Sequence, residues 1–272
     1  KMKIFKDKHC LKKEILFSKG ISFIPTMGNL HEGHISLIRE AKKFNLKVLV
    51  SIYVNPKQFN NKSDFKSYPR KTKKDMKLLR KLKIDYLYMP SFKDVFGFKT
   101  QNKIYLDKSS KKLCGKFRIG HFKGVINVVN RFLEIIKPKY LFLGKKDYQQ
   151  LFLIKKHIKK RKINTKIIEC NTVRDKNGVA CSSRNSNLNT KQLKIASKIY
   201  KLNFAAKIKL KKRFRFSILK KLKENLNKVG IKKLDYVEIY NIKKFKKLNK
   251  SSQNFNIFIA YYLGEVRLID NI

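Results

Sequence analysis

The chain has 272 residues, 42% of them hydrophobic, and its 68 Lys and Arg against 18 Asp and Glu give a formal net charge of +50. That length and apolar content allow one large or two modest domains with real cores, and they argue against disorder despite the charge. No apolar run nears the length of a membrane span, the first residues lack a signal-like apolar core, and four scattered cysteines without Cys-x-x-Cys spacing read as reduced thiols, so a cytoplasmic protein is expected.

Residues 1 to 20 read as a short strand or turn and then a basic helix ending at Gly20. Ile21 to Ile24 is an apolar, β-branched run that reaches Pro25. Thr26-Met27-Gly28-Asn29-Leu30-His31-Glu32-Gly33-His34 follows, and Ile35, Leu37, Ile38 and Ala41 then share one side at helical spacing. The pattern predicts strand, tight loop and helix. A helix starting near Glu32 to His34 leaves backbone N–H groups unsatisfied and carries partial positive charge, which makes an anion site. His31 and His34, three apart, point the same way on a first helical turn. Backbone donors beside two imidazoles suit a polyphosphate. The bare pattern also suits packing and polar surface, while a zinc site lacks a third ligand: no cysteine is near, and His9, His121 and His157 lie far off in sequence.

Val48 to Val54 predicts a buried strand that ends in Asn55-Pro56-Lys57-Gln58-Phe59. Side chains just past the carboxyl end of a parallel strand line the ligand crevice of an open sheet, so Asn55 and Gln58 are site candidates. Asp64 to Arg70 reads as a structured turn or a ligand contact. A helix over 72–82 and a strand over 84–89, closed by Pro90, repeat the strand–helix–strand order of a parallel sheet with right-handed crossovers. A further strand is expected near Ile104 to Leu106. Arg118-Ile119-Gly120-His121 precedes a helix over 125–136, and its Arg118 and His121 suit either an anion or a brace for the helix start.

Tyr140 to Leu143 predicts a strand, followed by Gly144-Lys145-Lys146-Asp147-Tyr148-Gln149-Gln150 and a helix through Leu151, Ile154 and Ile158. Asp147 is placed as an N-cap, with Lys146 and Gln150 on one side. Lys166 to Cys170 closes the larger domain. Beyond Val173 an Asn177-Gly178 turn leads through Val179 to Cys181-Ser182-Ser183-Arg184-Asn185, whose hydroxyls, guanidinium and amide could clamp a phosphate. Helices over 190–209 and 216–228 and strands over 236–240 and 256–263 then describe an α+β domain.

Four of these stretches resemble, in order, the pantothenate synthetase (pantoate–β-alanine ligase) family, a nucleotidyltransferase branch with a His-x-x-His or His-x-Gly-His element. They are Pro25 to His34, Asn55 to Phe59, Gly144 to Gln150 and Cys181 to Asn185, and Leu263 to Asn271 is similar to the family's carboxyl terminus. The resemblance implies a doubly wound, mainly parallel Rossmann-like sheet over residues 1–173 and a smaller α+β lid over 174–272. Motif loops at the ends of four strands would meet in one crevice.

It also implies ATP-dependent condensation of pantoate with β-alanine through a pantoyl adenylate, releasing AMP and pyrophosphate. On this resemblance His31, His34, Lys146 and Arg184 are the catalytic group. Pro25, Thr26, Met27, Gly28, Gly144, Asp147, Val173, Val179, Cys181, Ser182 and Ser183 join them around ATP. Gln58, Gln150 and Met27 take pantoate, with Pro25 and Met27 against its methyl groups. Mg²⁺ is expected to ride on the phosphates of ATP, with Asp75 a weak outer ligand, and no tightly bound cofactor is implied. A homodimer without membrane or specific nucleic-acid partners is expected, the lysine excess being read as drift in an AT-rich genome.

The chain departs from the family at Ile119 (proline), Asn127 (threonine) and Asn171 (proline). The absence of Lys-Met-Ser-Lys-Ser argues against an aminoacyl-tRNA synthetase. The alternatives are another adenylyl or cytidylyl transferase on this scaffold, and a nucleic-acid-binding protein suggested by charge.

Overall fold

Apolar strand segments alternating with amphipathic helices build the first of two units, Lys1–Asn171, in the computed structural model. Thr172–Ile272 form the second. The structure describes residues 1–249, 252 and 254–272. The first unit begins with β1 (Lys3–Phe5), α1 (Lys8–Ile15), β2 (Ile21–Thr26), α2 (Glu32–Lys42) and β3 (Lys47–Ile52). It continues with α3 (Lys62–Ser67), α4 (Thr72–Lys81), β4 (Tyr86–Tyr88), α5 (Phe92–Phe96), α6 (Cys114–Phe117) and α7 (His121–Ile136). It ends with β5 (Tyr140–Gly144), α8 (Tyr148–Arg161) and β6 (Lys166–Cys170).

All six strands are parallel, in the order β1-β4-β3-β2-β5-β6. The sheet is doubly wound, as expected: from β2 the chain steps to β3 and β4 on one side, then crosses to β5 and β6 on the other. The period of two along β2 explains how both faces are covered. Ile24 clusters with Ile38 and Ala41 of α2, while Phe23 meets Phe132 of α7 edge-on, ring centroids 5.7 Å apart. Both side chains are wholly buried.

Three expectations need correction. The first strand runs one residue past its proline: β2 pairs with β3 through Thr26, but with β5 only at Ser22 and Phe23. Pro25 faces the β5 side, where pairing has already ended, so its missing N–H costs no ladder bond. No strand forms at Ile104 to Leu106. There the Tyr105 N–H donates to His157 Nδ1 (3.1 Å) and the Ile104 carbonyl accepts from Arg161 (3.4 Å), so side chains of α8 replace a neighbouring strand. Finally, α7 starts at His121 instead of Val125, behind Gly120 at φ +81°, a conformation glycine adopts freely.

The second unit holds α9 (Thr190–Lys212), α10 (Phe216–Lys228), β7 (Lys233–Asn241), β8 (Lys246–Lys247), β9 (Phe255–Leu263) and β10 (Val266–Asn271). Its sheet is antiparallel, in the order β10-β9-β7-β8. Ile199 and Leu210 of α9 and Leu226 of α10 pack with Val237, Ile257 and Ile259 of the strands. Arg174 grips Asp270 bidentately (2.6 and 2.9 Å) and donates to the carbonyls of Gly178 and Asn271, so the 173–181 segment is tied to β10. No helix among the described residues is long and apolar enough to cross a membrane.

Candidate active site

In a doubly wound sheet the ligand crevice opens at the carboxyl ends of the strands where the winding reverses. Here that point lies between β2 and β5, with β3 next to β2. The loops leaving these three strands carry His31 and His34, Lys146, and Asn55 with Gln58.

The two histidines act first on each other. His31 is the N-cap of α2: its Nδ1 accepts from the Gly33 N–H (3.1 Å), and His34 Nδ1 accepts from the His31 N–H (3.4 Å), a reciprocal capping box. The His31 carbonyl takes the N–H groups of His34 and Ile35. The expectation of free amides at the helix start is therefore corrected in part, because the N–H groups of Gly33, His34 and Ile35 bond within this turn. An imidazole that accepts at Nδ1 carries its proton at Nε2 when neutral. Both rings, with centroids 4.1 Å apart, thus offer an Nε2–H donor from a fixed frame.

The loop before them is equally pinned. Gly28 (φ +80°) and Asn29 (φ +49°) take the left-handed turn that glycine and asparagine tolerate. Thr26 Oγ1 donates to the Ser51 carbonyl and accepts from the Gly28 N–H. Asp75 of α4, 2% exposed, accepts from the Asn29 N–H at Oδ2 (2.8 Å) and the Leu30 N–H at Oδ1 (2.9 Å). Sequence reading considered Asp75 only as a metal ligand; the structure gives it the loop to hold. Among the described residues no group of three or more His, Cys, Asp or Glu gathers to hold a metal ion.

Gly144 ends β5 and a short 3₁₀ turn, Lys145–Asp147, carries Lys146. Asp147 stands at the N-cap position of α8 without a side-chain capping bond, contrary to expectation, and lies 3.4 Å from Lys146 Nζ. Of the two glutamines that follow, Gln149 turns inward. It accepts from the Cys114 N–H and donates to the Ser109 and Lys112 carbonyls, fastening residues 109–114 to α8. Gln150 stays partly exposed.

Past β3, Gln58 is buried beside Met27. His121 and Arg118 prove to be braces. His121 Nδ1 donates to the Gln58 carbonyl (2.7 Å), its Nε2 accepts from Arg118 (3.1 Å), and Arg118 also reaches that carbonyl (3.3 Å). The departure at Asn127 has its own partner, since Asn127 Oδ1 accepts from Arg131, which in turn donates to the carbonyls of Val95 and Phe98. Ile119 is 83% exposed.

In the second unit Val173 and Cys181 are joined by a backbone bond (2.9 Å), and Val179 is buried. Ser182 caps a short 3₁₀ turn over Ser183–Asn187 by accepting from the Arg184 N–H. Ser183 is buried and Arg184 partly exposed.

Desolvation, aided by the Lys146 charge, pushes His31 down to about 4, and desolvation with the neighbouring His31 and Lys146 pushes His34 down to about 3. Both are neutral donors at pH 7. Because the folded values lie below the usual 6.5, the unfolded chain binds protons first. Their contribution to stability is therefore complete above about pH 6.5 and is lost as pH falls through 4 and 3. In the ATP-free protein the imidazole signals of His31 and His34 should stay unshifted by NMR from pH 8 to about 5.5. A midpoint near 6.5 for either ring would show that the box does not hold it.

This architecture, with paired imidazole donors and a lysine at the reversal point of a doubly wound sheet, is that of a nucleotidyltransferase-type α/β enzyme. The family model for pantoate-beta-alanine ligase matches residues 3–272. A pantothenate synthetase of Francisella tularensis subsp. novicida is 42% identical over 270 residues, covering 98% of this chain and 94% of the relative. Among solved structures, the pantothenate synthetase of Thermus thermophilus superposes with a TM-score of 0.92 at 30% identity, covering 100% of this chain and 99% of that one. The pantoate-beta-alanine ligase of Francisella tularensis, complexed with beta-gamma ATP and beta-alanine, gives 0.83 at 41% identity, covering 100% and 97%. The chain belongs to the pantoate–β-alanine ligase family.

Proposed function

We propose the following roles for this chain's residues in the family's reaction, the ATP-dependent joining of pantoate to β-alanine. The pantoate carboxylate attacks the α-phosphorus and expels pyrophosphate. The β-alanine amine then attacks the acyl carbon of the adenylate, loses a proton and expels AMP. Both nucleophiles come from the substrates, so positioning and charge stabilisation are what the protein must supply.

The observation that carries the reading is the pair of neutral Nε2–H donors beside Lys146. His31, His34 and Lys146 stabilise charge growing on the phosphates, and Arg184, Ser182 and Ser183 add phosphate contacts. Pro25, Thr26, Met27, Gly28, Gly144, Asp147, Val173, Val179 and Cys181 contact ATP. Gln58 and Gln150 bind pantoate against Pro25 and Met27. Mg²⁺ enters on the phosphates; Asp75, whose oxygens each keep a lone pair, suits a single outer contact and no closed metal cage. A lid role for residues 174–272, a homodimer and a cytoplasmic location belong to the same reading and rest on the resemblance. The direct test supplies ATP, Mg²⁺, pantoate and β-alanine and measures AMP and pantothenate together. Turnover that ignores pantoate would favour another nucleotidyl transfer.

The charge is read as solvated surface. The folded chain exposes 15278 Å², so a net charge of +50 corresponds to a spacing of about 17 Å, roughly twice the Debye length of about 8 Å at physiological salt. Weak binding of polyanions at low salt follows in any case. Near 0.15 M salt, binding to several DNA and RNA sequences should fade while ligase activity persists. Tight, sequence-selective binding there would promote the nucleic-acid reading.

A further inference from the structure

Lys207 of α9, in the second unit, keeps unusual company for a lysine of this chain. Its Nζ donates to Asn256 Oδ1 of β9 (2.8 Å) and lies 5.8 Å from the centre of the Phe255 ring. Phe255 is 3% exposed and meets Phe214 edge-on, so the partly exposed amine sits at the margin of an apolar core. Asn256 is itself held, its Nδ2 donating to Asn271 Oδ1 of β10 (2.8 Å). Neither residue that Lys207 meets on β9 is charged. The charged group that acts on it is Lys211, one turn further along α9 and of the same sign.

Other lysines show the contrast. Lys3 and Lys47 lie 2.7 and 2.8 Å from the carboxylates of Glu14 and Asp85, which make them hold their protons more tightly. At Lys207 desolvation, aided by Lys211, pushes the amine down from the usual 10.5 to about 8. About a tenth of it is then neutral at pH 7, against roughly three in ten thousand for an ordinary lysine. Lower basicity also weakens a nucleophile, but with a Brønsted slope below one the loss is smaller than the gain in neutral fraction. Desolvation beside a second cation is a recognised way to activate an amine. A neutral amine can leave one N–H on Asn256 and still present its lone pair. An amide formed there would also keep an N–H for Asn256 and would break no ion pair.

We propose that Lys207 is a modification site, at which the chain takes up small activated acyl groups of the acyl-phosphate type. The lone pair of the neutral Nζ attacks the acyl carbon and forms the N–C bond. The C–O bond to the phosphate breaks, inorganic phosphate leaves with that electron pair, and the nitrogen gives a proton to water. The positive surface draws the anionic donor towards all the lysines, so the state of the amine, and not attraction alone, sets Lys207 apart.

Acetyl phosphate is the probe. The whole chain is incubated with it at several values between about pH 6 and 10, and acetylation of each lysine is followed by peptide mass spectrometry. Rates are compared within one sample, which cancels hydrolysis of the reagent. At pH 7 Lys207 should react about tenfold faster than the median lysine and faster still than Lys3 and Lys47. Its rate should level off above about pH 9 while theirs still climb. A rate within about twofold of the median at pH 7 overturns the proposal, as does one that climbs to pH 10 in step with the others. Asn256→Asp sets a carboxylate against the amine and should slow acetylation of Lys207 about tenfold, with the other lysines unchanged. Undiminished acetylation in that variant also overturns the proposal. Should the variant not fold, the pH profile of the wild-type chain decides alone.

Discussion

Replacing His34 or Lys146 by alanine should slow pantoyl-adenylate formation about 10²–10³-fold, the scale for losing one preorganised donor to a developing charge. The two residues leave neighbouring strands, β2 and β5, and the Lys146 charge adds to desolvation in depressing the basicity of His31 and His34. His34 has a second job, because its Nδ1 caps the His31 N–H, and losing a cap costs about 0.5–2 kcal/mol. His34→Glu separates the two. Glutamate is a customary residue at this capping-box position, so stability should recover, while a carboxylate facing the phosphates should leave adenylate formation as slow as in the alanine variant or slower. Pyrophosphate release from ATP and pantoate, measured without β-alanine, isolates the step. Rates within tenfold of wild type in both alanine variants would remove these residues from the phosphate site.

The course of the main sheet was legible because β2, β3 and β5 are short apolar runs that reach a proline, asparagine or glycine and lead on to helices. The helix carrying His34 was read for the same reason, from Ile35, Leu37, Ile38 and Ala41. What stayed hidden depends on partners remote in sequence. Nothing in Ile104 to Leu106 says that its backbone will be met by His157 and Arg161 and not by a strand. In Gln149-Gln150 only the packing decides which glutamine turns inward.

β10 was missed although a signal existed: Gly264-Glu265 is a two-residue turn between apolar runs, with Gly264 at φ +57°, and Val266 pairs with Leu263. At the site the residue types were legible and their use was not. Of the free helix amides expected from the strand–loop–helix pattern, that of Gly33 is taken by the His31 ring and those of His34 and Ile35 by the His31 carbonyl, and that arrangement appears only once both rings are placed.

Asp75 shows the same limit and leads to the other large expected effect. Asp75→Ala should destabilise the ATP-free, Mg²⁺-free protein, because it orphans the Asn29 and Leu30 N–H groups in a buried loop. Each orphaned donor costs about 1–3 kcal/mol, and for a chain of this size each kcal/mol lowers the unfolding midpoint by roughly 2–4 °C. Asp75→Asn should fall between, keeping one acceptor and setting its NH₂ against the other N–H. Adenylate formation should drop as well, since the loop leads straight into His31. A residue whose sole task is to touch Mg²⁺ behaves differently: its loss leaves the midpoint in EDTA untouched and raises the Mg²⁺ concentration needed for activity. An unchanged midpoint for Asp75→Ala in EDTA would therefore refute the brace, and a lowered one would place Asp75 beneath the histidine pair as the carboxylate that holds its loop in register.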